Sequence, residues 1–287
     1  MRMVAGWGGV APCATIVGMS EAWHHRRVPL AWGRLSVQVA GAGPPVLLLH
    51  GLGGSGRYWA GLAPHLAARR TLIAPDLAGF GRSDKPDLDY SREFHLEALD
   101  GLLTGLGVEG PVSVAGHSMG GVLAALFAAR RPEGVTALAL AAAPFPRAQE
   151  RTYGPPHGRG RLFAYRTVQF LLPMIAPLVR SHTFPRAVVA DYMRHTVTSY
   201  GRTSQALIWD VSALPELDGL RRLDGVPQLL MYSTEDRTIA RDSLERWHAL
   251  LPHAETLVVA GGHQLLLRGG FSGLAEWLSR PAASRVA

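Results

Sequence analysis

The stretch Val112-Ser113-Val114-Ala115-Gly116-His117-Ser118-Met119-Gly120-Gly121 constrains this chain more than any other. A β-branched apolar run enters a Gly-x-Ser-x-Gly turn, and residues 122–130 continue as an Ala- and Leu-rich helix. A serine in so sharp a strand-to-helix turn leaves no room for side chains two residues before or after it, a demand that Gly116 and Gly120 meet. In return the turn pushes the hydroxyl into the open and sets the next backbone N–H groups beside it. In a chain with 33 glycines among 287 residues the bare pattern can arise by chance. The apolar strand before it and the helix after it make it specific.

The rest of the chain alternates around that unit. Residues 28–32 and 35–39 predict a hairpin about Gly33-Arg34. Val46-Leu47-Leu48-Leu49 is a continuous apolar run, as in a parallel strand buried on both faces. It ends in the loop His50-Gly51-Leu52-Gly53-Gly54-Ser55-Gly56, which opens a helix near 58–68. Further strands are expected at 71–74, 135–142, 228–232 and 256–260, with helices near 92–106, 241–251 and 271–279. Such alternation means βαβ crossovers, hence an α/β fold with a mainly parallel sheet. It lapses between 144 and 223, where apolar stretches at 168–179 and 188–196 predict a helical insertion. The expected plan is a core over 19–143 and 224–287, with a helical cap over 144–223 placed to cover Ser118.

The composition, 47% hydrophobic, supplies a core and narrows the function classes. The net charge of +7 is almost wholly arginine, with Lys85 the only lysine, and it is spread along the chain. No basic run interleaved with aromatics appears, so no nucleic-acid partner is expected and the charge reads as solvated surface. Cys13 is the only cysteine, which rules out an intrachain disulfide and cysteine-based zinc sites. No uninterrupted apolar run reaches the ~18 residues of a membrane span. Residues 1–18 are mildly apolar behind Arg2 but broken by Gly6, Gly8, Gly9 and Pro12. They read as a disordered leader ahead of a start at Met19, with a cytoplasmic protein expected; a signal peptide and export are the alternative.

A serine hydroxyl needs a base to become a nucleophile and a carboxylate to orient that base. Open α/β sheets gather such groups at the carboxyl ends of their strands. After the strand at 228–232 comes Ser233-Thr234-Glu235-Asp236-Arg237, and after the last strand comes Gly261-Gly262-His263. With Ser118 these supply the chain order Ser, Asp, His. Glu235 is the rival acid; Asp236, one residue further into the loop, suits the usual strand-x-x-Asp placement. Two backbone N–H groups are expected to form an oxyanion hole, Met119 after the serine and Leu52 in the glycine loop, each worth ~2.7–4 kcal/mol to a transition state. Met119 is also a candidate pocket wall.

The other polar residues read differently. His50 suits a structural hydrogen bond that shapes the loop at Gly51, and His117 suits a support for the serine turn. Asp76 and Asp84 belong to a turn after a strand, where they brace backbone. His65, His95, His248 and His253 fall on helical faces or turns and read as solvated. In the insertion, Arg147, Arg151, Tyr165, Arg166 and Trp209 are candidates to face a pocket, although arginines on inserted helices commonly face water.

His50-Gly51-Leu52-Gly53-Gly54, Pro75-Asp76-Leu77-Ala78-Gly79-Phe80-Gly81-Arg82-Ser83, the serine turn, Asp236 and Gly262-His263 together resemble the α/β-hydrolase fold superfamily. Within it the chain is similar to small bacterial serine esterases, C–C hydrolases and cofactor-free haloperoxidases. The resemblance covers about 27–279 and is weaker across the insertion. It implies an eight-stranded, mostly parallel sheet with a helical lid, and hydrolysis of a small-molecule acyl substrate through an acyl-enzyme. No metal and no organic cofactor is implied, and a homo-oligomer remains open. Serine at the turn argues against dehalogenase and epoxide-hydrolase chemistry, which in this superfamily use aspartate there. An ester or thioester leads, with C–C cleavage of a diketone-type substrate or a non-catalytic ligand-binding role as alternatives. Two departures stand out: Ser233 replaces the glycine often found before the acid, and no proline follows Asp236 at its usual distance.

Overall fold

The computed structural model describes residues 23–147, 167, 171, 186–192, 194–240 and 242–280. Residues 1–18, Arg151, Tyr165, Arg166 and nearly all of the expected helix at 168–179 lie outside them. Eight strands form one sheet: β1 (Trp23–Leu30), β2 (Gly33–Ala40), β3 (Pro45–Leu49), β4 (Thr71–Pro75), β5 (Val112–His117), β6 (Val135–Ala141), β7 (Gln228–Tyr232) and β8 (Glu255–Val258). Their order across the sheet is β1-β2-β4-β3-β5-β6-β7-β8. The β1–β2 and β2–β4 pairs are antiparallel and every other pair is parallel. The continuous apolar runs became the centre: Val46 to Leu49 and the whole of β5 are buried, as parallel strands covered on both faces must be.

Helices cover both faces. On one side pack α2 (Arg92–Gly105) and α3 (Met119–Arg130); on the other pack the 3-10 turn Gly56–Leu62, α1 (Ala63–Leu66) and α8 (Phe271–Leu278). Every residue of α3 from Met119 to Ala129 is buried, as expected of a helix that is apolar all round. Between β6 and β7 the described residues are helical: α4 (Arg186–Tyr192), α5 (Val197–Ser204) and α6 (Leu214–Leu217), joined by single turns; α7 (Ser243–Leu250) follows β7. The expected continuous helix at 188–196 is broken, because Thr196 caps α5 with a reciprocal hydrogen-bond pair to Ser199. No helix among the described residues is long and apolar enough to cross a membrane.

The hairpin differs from expectation. Its turn falls at Ala31-Trp32, and β1 begins at Trp23 rather than Val28. His24 to Arg27 are exposed on an edge strand, so no hydrophobic alternation marks them.

Candidate active site

The serine turn is built by close backbone approach. Ser118 takes φ 55° and ψ −125°, outside the regions ordinary residues favour, directly before α3. Its N–H donates to the Ala141 carbonyl (2.9 Å), tying the turn to the end of β6. A Cβ on Gly116 would lie 2.1 Å from the Gly120 carbonyl oxygen, and one on Gly120 would lie 2.3 Å from that of Leu49. The space is taken by backbone that cannot move aside, which is why both positions are glycine.

Asp236 and His263 arrive from the loops after β7 and β8. Ser118 Oγ–H donates to His263 Nε2 at 3.0 Å, and His263 Nδ1–H donates to Asp236 Oδ2 at 2.9 Å. The carboxylate partner fixes the tautomer, protonated on Nδ1 with the Nε2 lone pair toward the serine. Burial raises the Asp236 pKa, but the His263 hydrogen bond and charge and the N–H groups of Thr238 and Ile239 outweigh it. The net effect is a carboxyl held below its ordinary range. The Asp236 Oδ1 that accepts from Thr238 (2.7 Å) and Ile239 (3.3 Å) leaves Oδ2 for the histidine. This arrangement supplies a hydroxyl, a base able to take its proton, and an anion to stabilise the resulting imidazolium.

Glu235, the rival acid, turns away: its Oε2 accepts from the Gly261 N–H at 3.2 Å. Ser233 Oγ accepts from the Gly262 N–H (3.1 Å) and the Glu235 N–H (3.2 Å). The serine that stands in place of the usual glycine therefore couples the acid and base loops.

The glycine loop lies against the same serine. A Cβ on Gly51 would come within 3.2 Å of both Ser118 Cβ and His117 Nδ1. His50, fully buried, donates from Nδ1 to the Gly51 carbonyl (2.8 Å) and accepts the Leu77 N–H on Nε2 (2.9 Å). Burial lowers its pKa to about 4, so it is a neutral brace. Asp76 accepts the N–H groups of Gly56 and Arg82, each at 2.7 Å, and Asp84 accepts that of Arg34 at 3.0 Å. Leu52 stands half-buried in this loop, and Met119 opens α3 with its side chain wholly enclosed in the core rather than walling an open pocket.

Described residues of the segment between β6 and β7 rest on these loops. Asp191 of α4, 1% exposed, accepts from Ser55 Oγ (3.1 Å) and pairs with Arg57 (3.5 Å) and Arg194 (3.4 Å). A Cβ on Gly53 would meet the Tyr192 carbonyl at 3.3 Å, and Ser199 Oγ donates to the Gly79 carbonyl at 2.9 Å. Arg147 is exposed and Trp209 half-buried.

The histidines divide differently than expected. His65 and His253 are exposed, and His248 is half-buried, with its Nε2 2.9 Å from Thr256 Oγ1. His95 is fully buried against α5, its Nε2 3.0 Å from Thr203 Oγ1, and burial lowers its pKa to about 3. Among the described residues no group of His, Cys, Asp and Glu is arranged to hold a metal ion.

An eight-stranded α/β sheet with a serine at the strand-to-helix turn after β5 defines the α/β-hydrolase class. The chain belongs to the α/β-hydrolase fold family, whose model matches residues 44–269. It is 30% identical over 254 residues to an uncharacterized protein of Mycobacterium tuberculosis, covering 80% of this chain and 73% of that one. A 2-hydroxymuconate semialdehyde hydrolase from a Pseudomonas species is 37% identical over 119 residues, 40% of this chain and 42% of that protein. Among solved structures, the thioesterase domain from the curacin biosynthetic pathway superposes with a TM-score of 0.70 at 22% identity, covering 91% of this chain and all of that domain.

Proposed function

We propose that this protein is a serine hydrolase that cleaves an ester or thioester of a small to medium carboxylic acid. The observation that carries the reading is the unbroken hydrogen-bond chain Ser118–His263–Asp236, at 3.0 and 2.9 Å, assembled from three separate loops. His263 takes the Ser118 proton as Oγ attacks the acyl carbon. The Leu52 and Met119 N–H groups hold the oxyanion. His263 then protonates the departing alcohol or thiol, and the acyl group remains on Ser118. In the second half His263 draws a proton from water, which releases the acid and restores the serine. Asp236 keeps the imidazole in one tautomer throughout. Residues 144–223 act as the cap over this site, and cap contacts with the glycine loop shape the acyl pocket.

A second reading, hydrolysis of a C–C bond in a diketone-type substrate, is favoured by the sequence similarity to the Pseudomonas hydrolase. The same serine and histidine would serve, with a carbanion in place of an alkoxide as leaving group.

The test is turnover of p-nitrophenyl esters and acyl thioesters of graded chain length, beside a vinylogous diketone, by wild type and Ser118→Ala. Ester or thioester turnover that falls by about 10⁴-fold or more in the variant is expected. Equal rates in the two proteins would remove the reading, and turnover of the diketone alone would replace it with the second.

A further inference from the structure

His117 lies beside the serine turn and also holds the base loop. Its Nε2 lies 2.8 Å from the His263 carbonyl oxygen, and because a carbonyl can only accept, that nitrogen carries the proton. We infer that His117 is a positioning residue: by donating to the His263 carbonyl it sets the distance between the base and Ser118. The inference rests on the reading of Ser118 and His263 proposed above.

The need for such a pin follows from the loop itself. His263 is preceded by Gly261 (φ 111°) and Gly262 (φ 66°), two residues that bring great backbone freedom and no side chain to anchor. The loop's other side-chain pins, Glu235 on the Gly261 N–H and Ser233 on the Gly262 N–H, both come from the acid loop. They fix His263 relative to Asp236, not relative to Ser118. His117 is bonded directly to Ser118, so its hydrogen bond references the base to the nucleophile through one peptide unit.

His117 is itself immobile enough for the task. It is 3% exposed, its ring stacks on Tyr58 (centroids 4.6 Å, 24° between planes), and its Nδ1 edge lies against Gly51. It pairs with Ala141 in the β5–β6 ladder, the residue whose carbonyl accepts the Ser118 N–H. Burial, reinforced by the neighbouring His263, lowers its pKa to about 3, so it stays a neutral donor across the working range. Glycine loop, serine turn and base loop thus meet at one imidazole.

The experiment measures p-nitrophenyl ester kinetics and the rate of fluorophosphonate inactivation for the full chain and its variants. His117→Phe keeps a flat ring against Tyr58 but has no donor. His117→Gln carries an amide nitrogen where Nε2 stands, whereas His117→Asn carries it at the Nδ1 position, short of the carbonyl. His117→Phe and His117→Asn are expected to lower kcat and the inactivation rate by about 10- to 100-fold at unchanged KM, as a small misplacement of the base does. His117→Gln is expected to recover most of the loss. Wild-type rates in His117→Phe would overturn the inference, as would equal losses in the Gln and Asn variants; the Gln–Asn comparison decides alone if His117→Phe does not fold. A wild-type protein that is not labelled at Ser118 would overturn the parent reading, and this one with it.

Discussion

Ser118 holds a positive φ without being glycine, a conformation that costs about 1–3 kcal/mol and persists only where its surroundings enforce it. Those surroundings are the carbonyls packed against Gly116 and Gly120. Gly120→Ala or Gly116→Ala is therefore expected to destabilise the fold by more than about 3 kcal/mol, read as a lowered urea midpoint, because neither clash can be relieved by a rotamer change. A midpoint within experimental error of wild type would mean the turn is not so tightly packed. At this scale the sequence is legible where a residue type is itself the requirement. Ser118, Asp236 and His263 each stand just beyond a strand in a loop where no packing role accounts for them. His117, Ser233 and Glu235 were not legible in the roles the structure gives them, because each acts on a main-chain group that faces it only after two distant loops have met. His95 deceived for a related reason: its ring is buried among Tyr90, Phe94 and Thr203 of α5, a distant partner that the local helical pattern does not show.

The strands of the centre announced themselves by uninterrupted apolar runs, and α2, α3 and α8 by apolar helical stretches. The edge strand β1 did not, since its exposed half carries no hydrophobic pattern. The described residues between β6 and β7 were readable as helical but not as to where they rest, which depends on single polar contacts. Chief among these is Asp191, a buried carboxylate that joins α4 to Ser55 and Arg57 beside the glycine loop. Asp191→Ala strands the buried Ser55 hydroxyl and is expected to cost about 1–3 kcal/mol. The loss should be local: amide hydrogen exchange should accelerate across α4 and α5 while β5 and α3 keep their protection. Uniform acceleration over the whole chain would show instead that this segment does not open as a separate unit.

At the scale of the molecule, burial has left four histidines among the described residues with lowered pKa values: His50 and His195 at about 4, His95 and His117 at about 3. Unfolded, each would titrate near its ordinary value of about 6.5. As pH falls from there toward 4, the unfolded chain takes up protons that the folded chain refuses, and stability is lost. Asp76 opposes this. Burial, with the charge of Asp191, raises its carboxyl to about 7 against the backbone hydrogen bond from Gly56, so the folded chain binds one proton the unfolded chain releases. The balance is a net uptake of up to about three protons on unfolding, a slope on the order of 4 kcal/mol per pH unit at its steepest. Urea unfolding at stepped pH should place maximum stability near neutrality and a steep decline below about pH 6. A flat profile between pH 6.5 and 4.5 would contradict the neutral, buried state of these histidines. None of this was visible in the composition, where the net charge of +7 counts every carboxyl as ionised and every histidine as neutral, whatever its burial.

The most direct test of the central claim is peptide-resolved mass spectrometry of the protein after exposure to a fluorophosphonate. One adduct per chain, carried by Ser118 and formed far more slowly in His263→Ala, is the expected result. An adduct on a different residue, or undiminished labelling without His263, would contradict the proposed activation of this serine.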